Sequence, residues 1–277
     1  MRDNLGFITL ENLQLENISN IKGSKKISFI YDNKKYYYKS NKSVKNVYYE
    51  LIAEELSKDY GINNAHYDLA TYMDDIGVIS ENFIDEGVNY FTIEELLEEY
   101  CLEDYNSNNL KYIELCLRFK YQDREIVSKL MEQLINIFIF DVLIGNSDRH
   151  SQNLMIIENG NDISFSKLYD NENMLSYLSI LEGYYSLGVT KEDFETEESN
   201  TLRHFLDKYK CIDLFIEKKK IISEENIIKV IARVEERIGT QIPDIIKNGI
   251  IIDFKDNNRM IDKVLSEKNK EYKKEKE

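Results

Sequence analysis

Two strand-like runs, Leu154 to Ile157 and Ile163 to Lys167, flank Asn159-Gly160, a dipeptide that accepts the positive φ angles of a two-residue hairpin loop. A hairpin with a set tip sets the register of everything beyond it. With Asn159 and Gly160 as the loop, paired positions sum to 319 and Asp170 lies opposite Arg149. A slip of one residue moves it to Ser151, Gln152 or thereabouts, so in each case Asp170 returns to the polar cluster Asp148, Arg149, His150, Gln152 and Asn153. Into that cluster runs a predicted helix from Asp123 to Leu143, with Ile126, Val127, Leu130, Met131, Leu134, Ile137 and Phe138 on one apolar side. The order is therefore buried helix, polar loop, strand, tight turn, strand, carboxylate.

The first 80 or so residues have a different texture. KKISFIYDNKKYYYKS holds two β-prone runs, Ile27 to Tyr31 and Lys35 to Lys39, around Asp32-Asn33-Lys34. If Asp32 and Asn33 form the loop, paired positions sum to 65, and Lys39 faces Lys26 beside Lys22-Gly23-Ser24-Lys25. A helix over Val47 to Tyr60 stops at Gly61, where a left-handed residue belongs. Strand-like LATYM and GVISENFI follow, separated by Asp74-Asp75. From about Tyr90 the pattern turns helical: FTIEELLEEY, KYIELCLRF, then segments near Leu202 to Tyr209 and Glu224 to Ile238. The expected architecture is α+β and bilobal, with a β-rich lobe over residues 1–84 carrying one main helix. A larger, mostly helical lobe covers 85–277 and ends in a mixed-charge tail from about 265, read as a solvated, partly frayed helix. No internal repeat or Pro- or Ser-rich linker interrupts it.

Composition excludes several classes. With 36 Lys+Arg against 51 Asp+Glu the net charge is −15, which opposes the phosphate neutralisation behind nonspecific nucleic-acid affinity. Direct nucleic-acid binding is not expected, and the 20 tyrosines fit strands and core better than a stacking platform for bases. Cys101, Cys116 and Cys211 are far apart with no CxxC spacing, and no signal-peptide pattern opens the sequence. The longest apolar run, Leu134 to Ile144, contains Asp141 and falls well short of the ~20 residues that span a bilayer. A cytoplasmic protein without a membrane span is the expectation.

Two carboxylates and an amide converging at one end of a short ribbon, Asp148, Asn153 and Asp170, offer hard oxygen ligands suited to Mg²⁺. Phosphoryl transfer needs such parts: its loose transition state leaves the protein to position the acceptor, clamp the phosphates and accept a proton late. In that division Asp148 orients and deprotonates the acceptor hydroxyl, Asn153 and Asp170 hold the metal, and Lys39 contacts the phosphates. Glu50, Glu54 and Glu55 share the helix after Lys39; Glu50, eleven residues on and in its first turn, is the choice to hold the lysine. His150 is read as a packed histidine bonding the loop backbone, and His66 and His204 as structural residues.

D-R-H-S-Q-N at Asp148 to Asn153, with L-Y-D ending at Asp170, resembles the catalytic loop and metal-binding aspartate of the HipA-like serine/threonine kinase family. The likeness continues through GSKK at Gly23 to Lys26, YYYK ending at Lys39, YYELIAEELSKDYGI at Tyr48 to Ile62, and SENFID at Ser80 to Asp85, which is similar to the family's inter-lobe hinge. It implies a bilobal kinase fold, Mg-ATP as donor and a protein Ser or Thr hydroxyl as acceptor. The nucleotide would meet Gly23, Ser24, Lys26, Lys39, Glu50 and the hinge residues Glu81 and Phe83. Ser19 or Ser24 would be candidates for self-modification. The sequence departs from the family in three places. It begins about twenty residues before the phosphate loop, where toxin-type members carry a further subdomain. Gln152 stands where many relatives have Lys, and the loop has Gly23 alone. D-R-H-x-x-N is also similar to the loop of phosphoinositide kinases, so a phosphotransferase for an inositol lipid or small-molecule hydroxyl is the alternative, with a nucleotide-binding pseudokinase third. The acceptor protein, any partner and the oligomeric state are not legible.

Overall fold

A computed structural model describes residues 8–10, 15–21, 24–40, 43–73, 75–100, 110–146, 148–175 and 201–274. Its first part is a six-stranded sheet made from β1 (Ile8–Thr9), β2 (Leu15–Ile21), β3 (Ser24–Tyr31), β4 (Lys34–Ser40), β5 (Asp68–Tyr72) and β6 (Asp75–Glu81), in the order β1-β5-β6-β4-β3-β2. Only β1 and β5 run parallel. Asp32 and Asn33 both take positive φ, 50° and 58°, as a type I′ hairpin demands. Lys26 accordingly pairs with Lys39, the register expected from the sequence. Alternation sends Ile27, Phe29, Tyr38 and Ile79 into a small core of their own.

Between β4 and β5 lies α1 (Val44–Tyr60), which ends on Gly61 at φ 87°. Twelve of its residues are buried, Glu50, Glu54 and Glu55 among them, so it lies deep in the molecule with carboxylates that need partners. It packs on α4 (Arg124–Ile144), whose first-turn amides are capped by Asp123. Every α4 residue from Ile137 to Ile144 is buried, Asp141 included.

One predicted helix is divided. FTIEELLEEY is a strand, β7 (Asn89–Thr92), followed by α2 (Ile93–Tyr100). Thr92 Oγ1 accepts the Glu95 amide at 3.1 Å while Glu95 returns a carboxylate to the Thr92 amide at 2.7 Å, a capping box that starts the helix two residues late. β7 joins β8 (Met155–Asn159) and β9 (Asp162–Phe165) in a three-stranded sheet. The β8-β9 tip is Gly160-Asn161, one residue beyond the expected Asn159-Gly160, and Asn159 pairs with Asp162. Gly160 has φ 59°, the positive value at the first loop position that makes glycine the preferred residue there. Carried to Asp170, the corrected register points to Ser151, within the range that a one-residue slip allowed.

The helical part adds α3 (Leu110–Tyr121), α5 (Thr201–Lys208), α6 (Ile212–Ile221), α7 (Glu224–Ile238) and α8 (Asp244–Lys274). The charged tail thus continues a helix to Lys274. Asn257 of α8 is fully buried and donates to the Val142 and Leu143 carbonyls, groups that a helix end leaves without intrahelical donors. The end of α4, from which the polar loop departs, is fixed from outside. Among the described residues no helix is long and apolar enough to cross a membrane.

Candidate active site

A cavity of about 620 Å³ separates the six-stranded sheet from the β7-β8-β9 sheet, a size typical of small-molecule sites. Lys26 and Lys39 reach it from the first hairpin, Glu50 from α1, Glu81 from the end of β6 and Phe83 from the segment after it, and Asn153 and Asp170 from the polar loop and the chain beyond β9. With Gln152 beside them, eight of the residues singled out in the sequence therefore share one space. Gly23 lies outside the described residues. Ser24 is the first residue of β3, and its side chain is likewise not described.

Lys39 organises one end of the cavity. Its ammonium contacts Asp170 Oδ1, lies 2.5 Å from Glu172 Oε2 and stands 4.0 Å from Glu50 Oε1. Burial alone would lower its pKa, but the fields of Asp170, Glu50 and Glu172 outweigh it and hold the group above the ordinary lysine value. Burial acts the other way on Glu50, whose pKa is pushed up to about 7 against the attraction of Lys39. Asp170 is held below the carboxylate range because Lys39 overcomes its own burial cost. Glu50 Oε2 accepts the Asn171 amide at 2.8 Å, tying α1 to the chain just after Asp170.

Asp170 has φ 61°, a left-handed conformation uncommon outside glycine. Its amide donates to Tyr67 Oη at 3.3 Å, which anchors the turn from the other side. Asn153 sits in a one-turn 3₁₀ helix, Ser151–Asn153. Its Nδ2 donates to the Asp148 carbonyl at 3.3 Å and to His150 Nε2 at 3.2 Å, which leaves Oδ1 as the atom available to a cation. His150 therefore bonds a side chain and not the loop backbone through its ring, a correction that follows from Asn153 folding back over it. Asp148 is exposed at the loop's edge, outside the cavity lining, and accepts from Asn173 Nδ2 at 2.7 Å. Gln152 is exposed too but lines the cavity, and its carbonyl accepts from Tyr169 Oη at 2.7 Å.

Sequence reasoning missed Arg149, Asn171, Glu172 and Tyr67. Arg149 is completely buried, with Nε and Nη2 on the two oxygens of Asp141, Nη1 on the Tyr169 carbonyl and Nη2 also on Asn171 Oδ1. The charge of Asp141 in an otherwise apolar run was the available signal for it. Glu172, two residues past a proposed ligand, carried a signal that register counting to Asp170 did not reach.

A family model described as the HipA-like C-terminal domain matches residues 22–242. No curated protein matches the chain by sequence. Among solved structures, the proinflammatory kinase CtkA of Helicobacter pylori superposes with a TM-score of 0.62 at 16% identity, over 91% of this chain and 94% of that one. A chain from the Shewanella oneidensis MR-1 toxin–antitoxin complex of HipA, HipB and operator DNA gives 0.57 at 18% identity, over 90% of this chain and 65% of that one. At these identities the likeness is one of fold, and the fold is the bilobal kinase-like α+β arrangement.

Proposed function

We propose that this chain, which belongs to the HipA-like C-terminal domain family, is an ATP- and Mg²⁺-dependent phosphotransferase acting on protein serine or threonine hydroxyls. The observation that carries the reading is the contact of Lys39 with Asp170 across a nucleotide-sized cavity whose wall also holds Asn153. Asp170 offers a charged carboxylate and Asn153 an amide oxygen, a donor set that fits Mg²⁺. When bound, the ion would supply neutralisation of the phosphate oxygens.

The chain's own groups do the rest. Lys39, with Lys26 behind it on the paired strand, presents positive charge to the phosphates. Glu50 holds Lys39 on the α1 side. Glu81 and Phe83 line the end where a base would enter, and Phe83 lies against Tyr169 with ring centroids 5.9 Å apart. Asp148 stands at the exposed edge, where a hydroxyl from another protein can reach it, and Asn173 fixes one of its oxygens. The other oxygen orients the hydroxyl and takes its proton as the bond to phosphorus forms.

The test is transfer from labelled ATP with Mg²⁺, with and without a cell lysate, beside Asp148→Asn and Asp170→Asn. Label on protein Ser or Thr that disappears in both variants is expected. Label confined to lipid or small-molecule fractions would replace the protein acceptor, and absence of metal-dependent ATP binding would overturn the reading.

A further inference from the structure

The buried residues of α1 share a core with α4 and α7, while Ile27, Phe29, Tyr38 and Ile79 of the six-stranded sheet pack in a separate one. α1 is thus built into the helical part, and each of its halves has its own tie there. In the C-terminal half Glu54 meets Arg237, Asp59 lies 2.6 Å from Arg233 Nη2, and Tyr60 Oη donates to the Asn136 carbonyl at 2.9 Å. In the N-terminal half, which follows Lys39 and carries Glu50, Lys45 Nζ lies 2.5 Å from Asp253 Oδ2 of α8, and Tyr49 Oη donates to the same oxygen at 3.5 Å. Tyr49 is buried and immediately precedes Glu50, so Asp253 fixes the turn of helix from which Glu50 projects. A second contact of α8 is independent of the first. Asn257 stands one turn on from Asp253, about 6 Å along the helix. It is fully buried, and its Nδ2 donates to the Val142 and Leu143 carbonyls at 3.3 and 3.1 Å, while its Oδ1 meets no donor among the described residues. A buried acceptor left bare is a cost, so the donors are what this asparagine contributes. It also backs Gly145, where a Cβ would stand 3.4 Å from Asn257 Cγ and 3.1 Å from Leu175 Cα. From that end the chain runs to Asn146, whose Oδ1 accepts the Asp148 amide at 3.3 Å.

We infer that α8 braces the site from behind, with Asp253 and Asn257 as positioning residues. Asp253 sets α1 and through it Glu50, which holds Lys39. Asn257 sets the end of α4 and through it the loop that carries Asp148. Residues four apart lie on one face of a helix, so these two parts can shift relative to each other only by breaking a contact to α8. Glu50 Oε2 on the Asn171 amide joins α1 to the chain after Asp170 from within the site, and α8 does the same from outside. The inference rests on the phosphotransfer reading only for what the held residues do in the reaction.

The experiment is amide hydrogen exchange on the full chain without nucleotide. The Asn171 amide donates to Glu50 and the Tyr67 amide to Glu54 at 3.0 Å, so the two report the N-terminal and C-terminal halves of α1 separately. Asp253→Ala is expected to speed exchange at Asn171 several-fold and to leave Tyr67 unchanged, since local opening and global unfolding are separable by exchange. A merely structural loss would speed both. The charge swap Lys45→Asp with Asp253→Lys is expected to return the Asn171 rate towards the wild-type value, and Asp253→Asn decides the matter if Asp253→Ala does not fold. Turnover from labelled ATP is expected to fall several-fold in Asp253→Ala and to recover in the swap. An unchanged Asn171 rate, equal acceleration at both amides, a swap that stays fast, or faster Asn171 exchange with undiminished turnover overturns the brace. Selective acceleration at Asn171 in a protein whose wild type transfers no phosphate would instead sink the kinase reading and leave this one standing.

Discussion

Arg149 grips Asp141 with two nitrogens, Nε on Oδ2 at 3.1 Å and Nη2 on Oδ1 at 3.0 Å, in a place closed to solvent on both sides. Its neighbour Asp148 is exposed. The two residues of one motif therefore divide into a buried, ion-paired charge and an exposed one proposed as the base, and substitution should separate them. Arg149→Met leaves the buried Asp141 carboxylate without its countercharge, with only Asn146 Nδ2 still donating to it, and leaves Asn171 Oδ1 without the Arg149 bond; a loss of about 3–5 kcal/mol is expected in urea unfolding. Asp148→Asn keeps shape and hydrogen-bond acceptance, so stability is expected to stay within about 0.5 kcal/mol while turnover falls about 100-fold or more.

Gly77 lies in β6 opposite Ser40, and a Cβ placed on it would strike the Lys39 carbonyl and, at 2.6 Å, the Tyr38 ring. Both obstacles are held: Lys39 by its strand partners, Tyr38 by burial and by its hydroxyl on the Asp75 carbonyl at 2.9 Å. Gly77→Ala is expected to cost about 1–3 kcal/mol through overpacking and to weaken ATP binding by shifting Lys39. Gly160→Ala is the control. It meets nothing within 4 Å, so only the left-handed strain of about 1 kcal/mol is expected, with ATP affinity unchanged. Chemical denaturation and nucleotide titration read the two effects.

The contrast shows what the sequence could carry. The hairpin that pairs Lys26 with Lys39 was legible because Asp32-Asn33 is a local signal and register then follows by counting. The return of Asp170 to the polar loop was legible for the same reason, and the tip slipped by one because Asn159-Gly160 and Gly160-Asn161 both satisfy the turn. Glu50 could be chosen over Glu54 and Glu55 only by its place in the first turn of the predicted helix from Val47; α1 begins at Val44, which puts Glu50 in its second turn. What stayed hidden depends on long-range packing. β7 pairs with a strand more than sixty positions later, and Arg149 meets Asn171 only after both chains have crossed the end of α4. The capping box at Thr92 and Glu95 was readable, and the apolar run after it masked the strand before it.

Tyr67 is a positioning residue with a separable effect. It is buried, and its hydroxyl accepts the amide of Asp170, the residue held at φ 61°. Tyr67→Phe keeps the ring and leaves that amide unsatisfied, a cost of about 1–3 kcal/mol expected by urea unfolding. Because the lost bond anchors the proposed metal ligand, the Mg²⁺ concentration for half-maximal activity is expected to rise several-fold. A variant that loses stability with its Mg²⁺ dependence unchanged would remove Tyr67 from the site and leave it a packing residue.

Away from the cavity, Glu54 joins α1 to α7 and should make stability depend on pH. Its Oε2 lies 2.6 Å from Arg237 Nη1 and accepts the Tyr67 amide at 3.0 Å, while Oε1 lies 2.7 Å from His66 Nδ1 and 3.1 Å from Lys58 Nζ. Glu55 and Asp68 complete the set, 3.5 Å from Arg237 Nε and 3.6 Å from His66 Nε2. Hydrogen bonds from His66 to Asp68 and Glu54 raise its pKa to about 9, from an ordinary 6.5. A histidine pKa raised by folding contributes stability that is complete below 6.5 and is lost as pH rises through 9. Because the ring is 60% exposed, solvent screening limits this to less than about 1 kcal/mol. Glu54 behaves oppositely: burial opposes its charge, but His66 and Arg237 outweigh burial and lower its pKa to about 2, so its contribution is present above 4.5 and fades as pH falls through 2. Unfolding free energy of the wild type is expected to decline between pH 6.5 and 9 relative to His66→Gln, with the two curves parallel above that window. Glu54→Gln is expected to cost about 3 kcal/mol near neutrality, since it leaves the Arg237 charge short of its closest carboxylate.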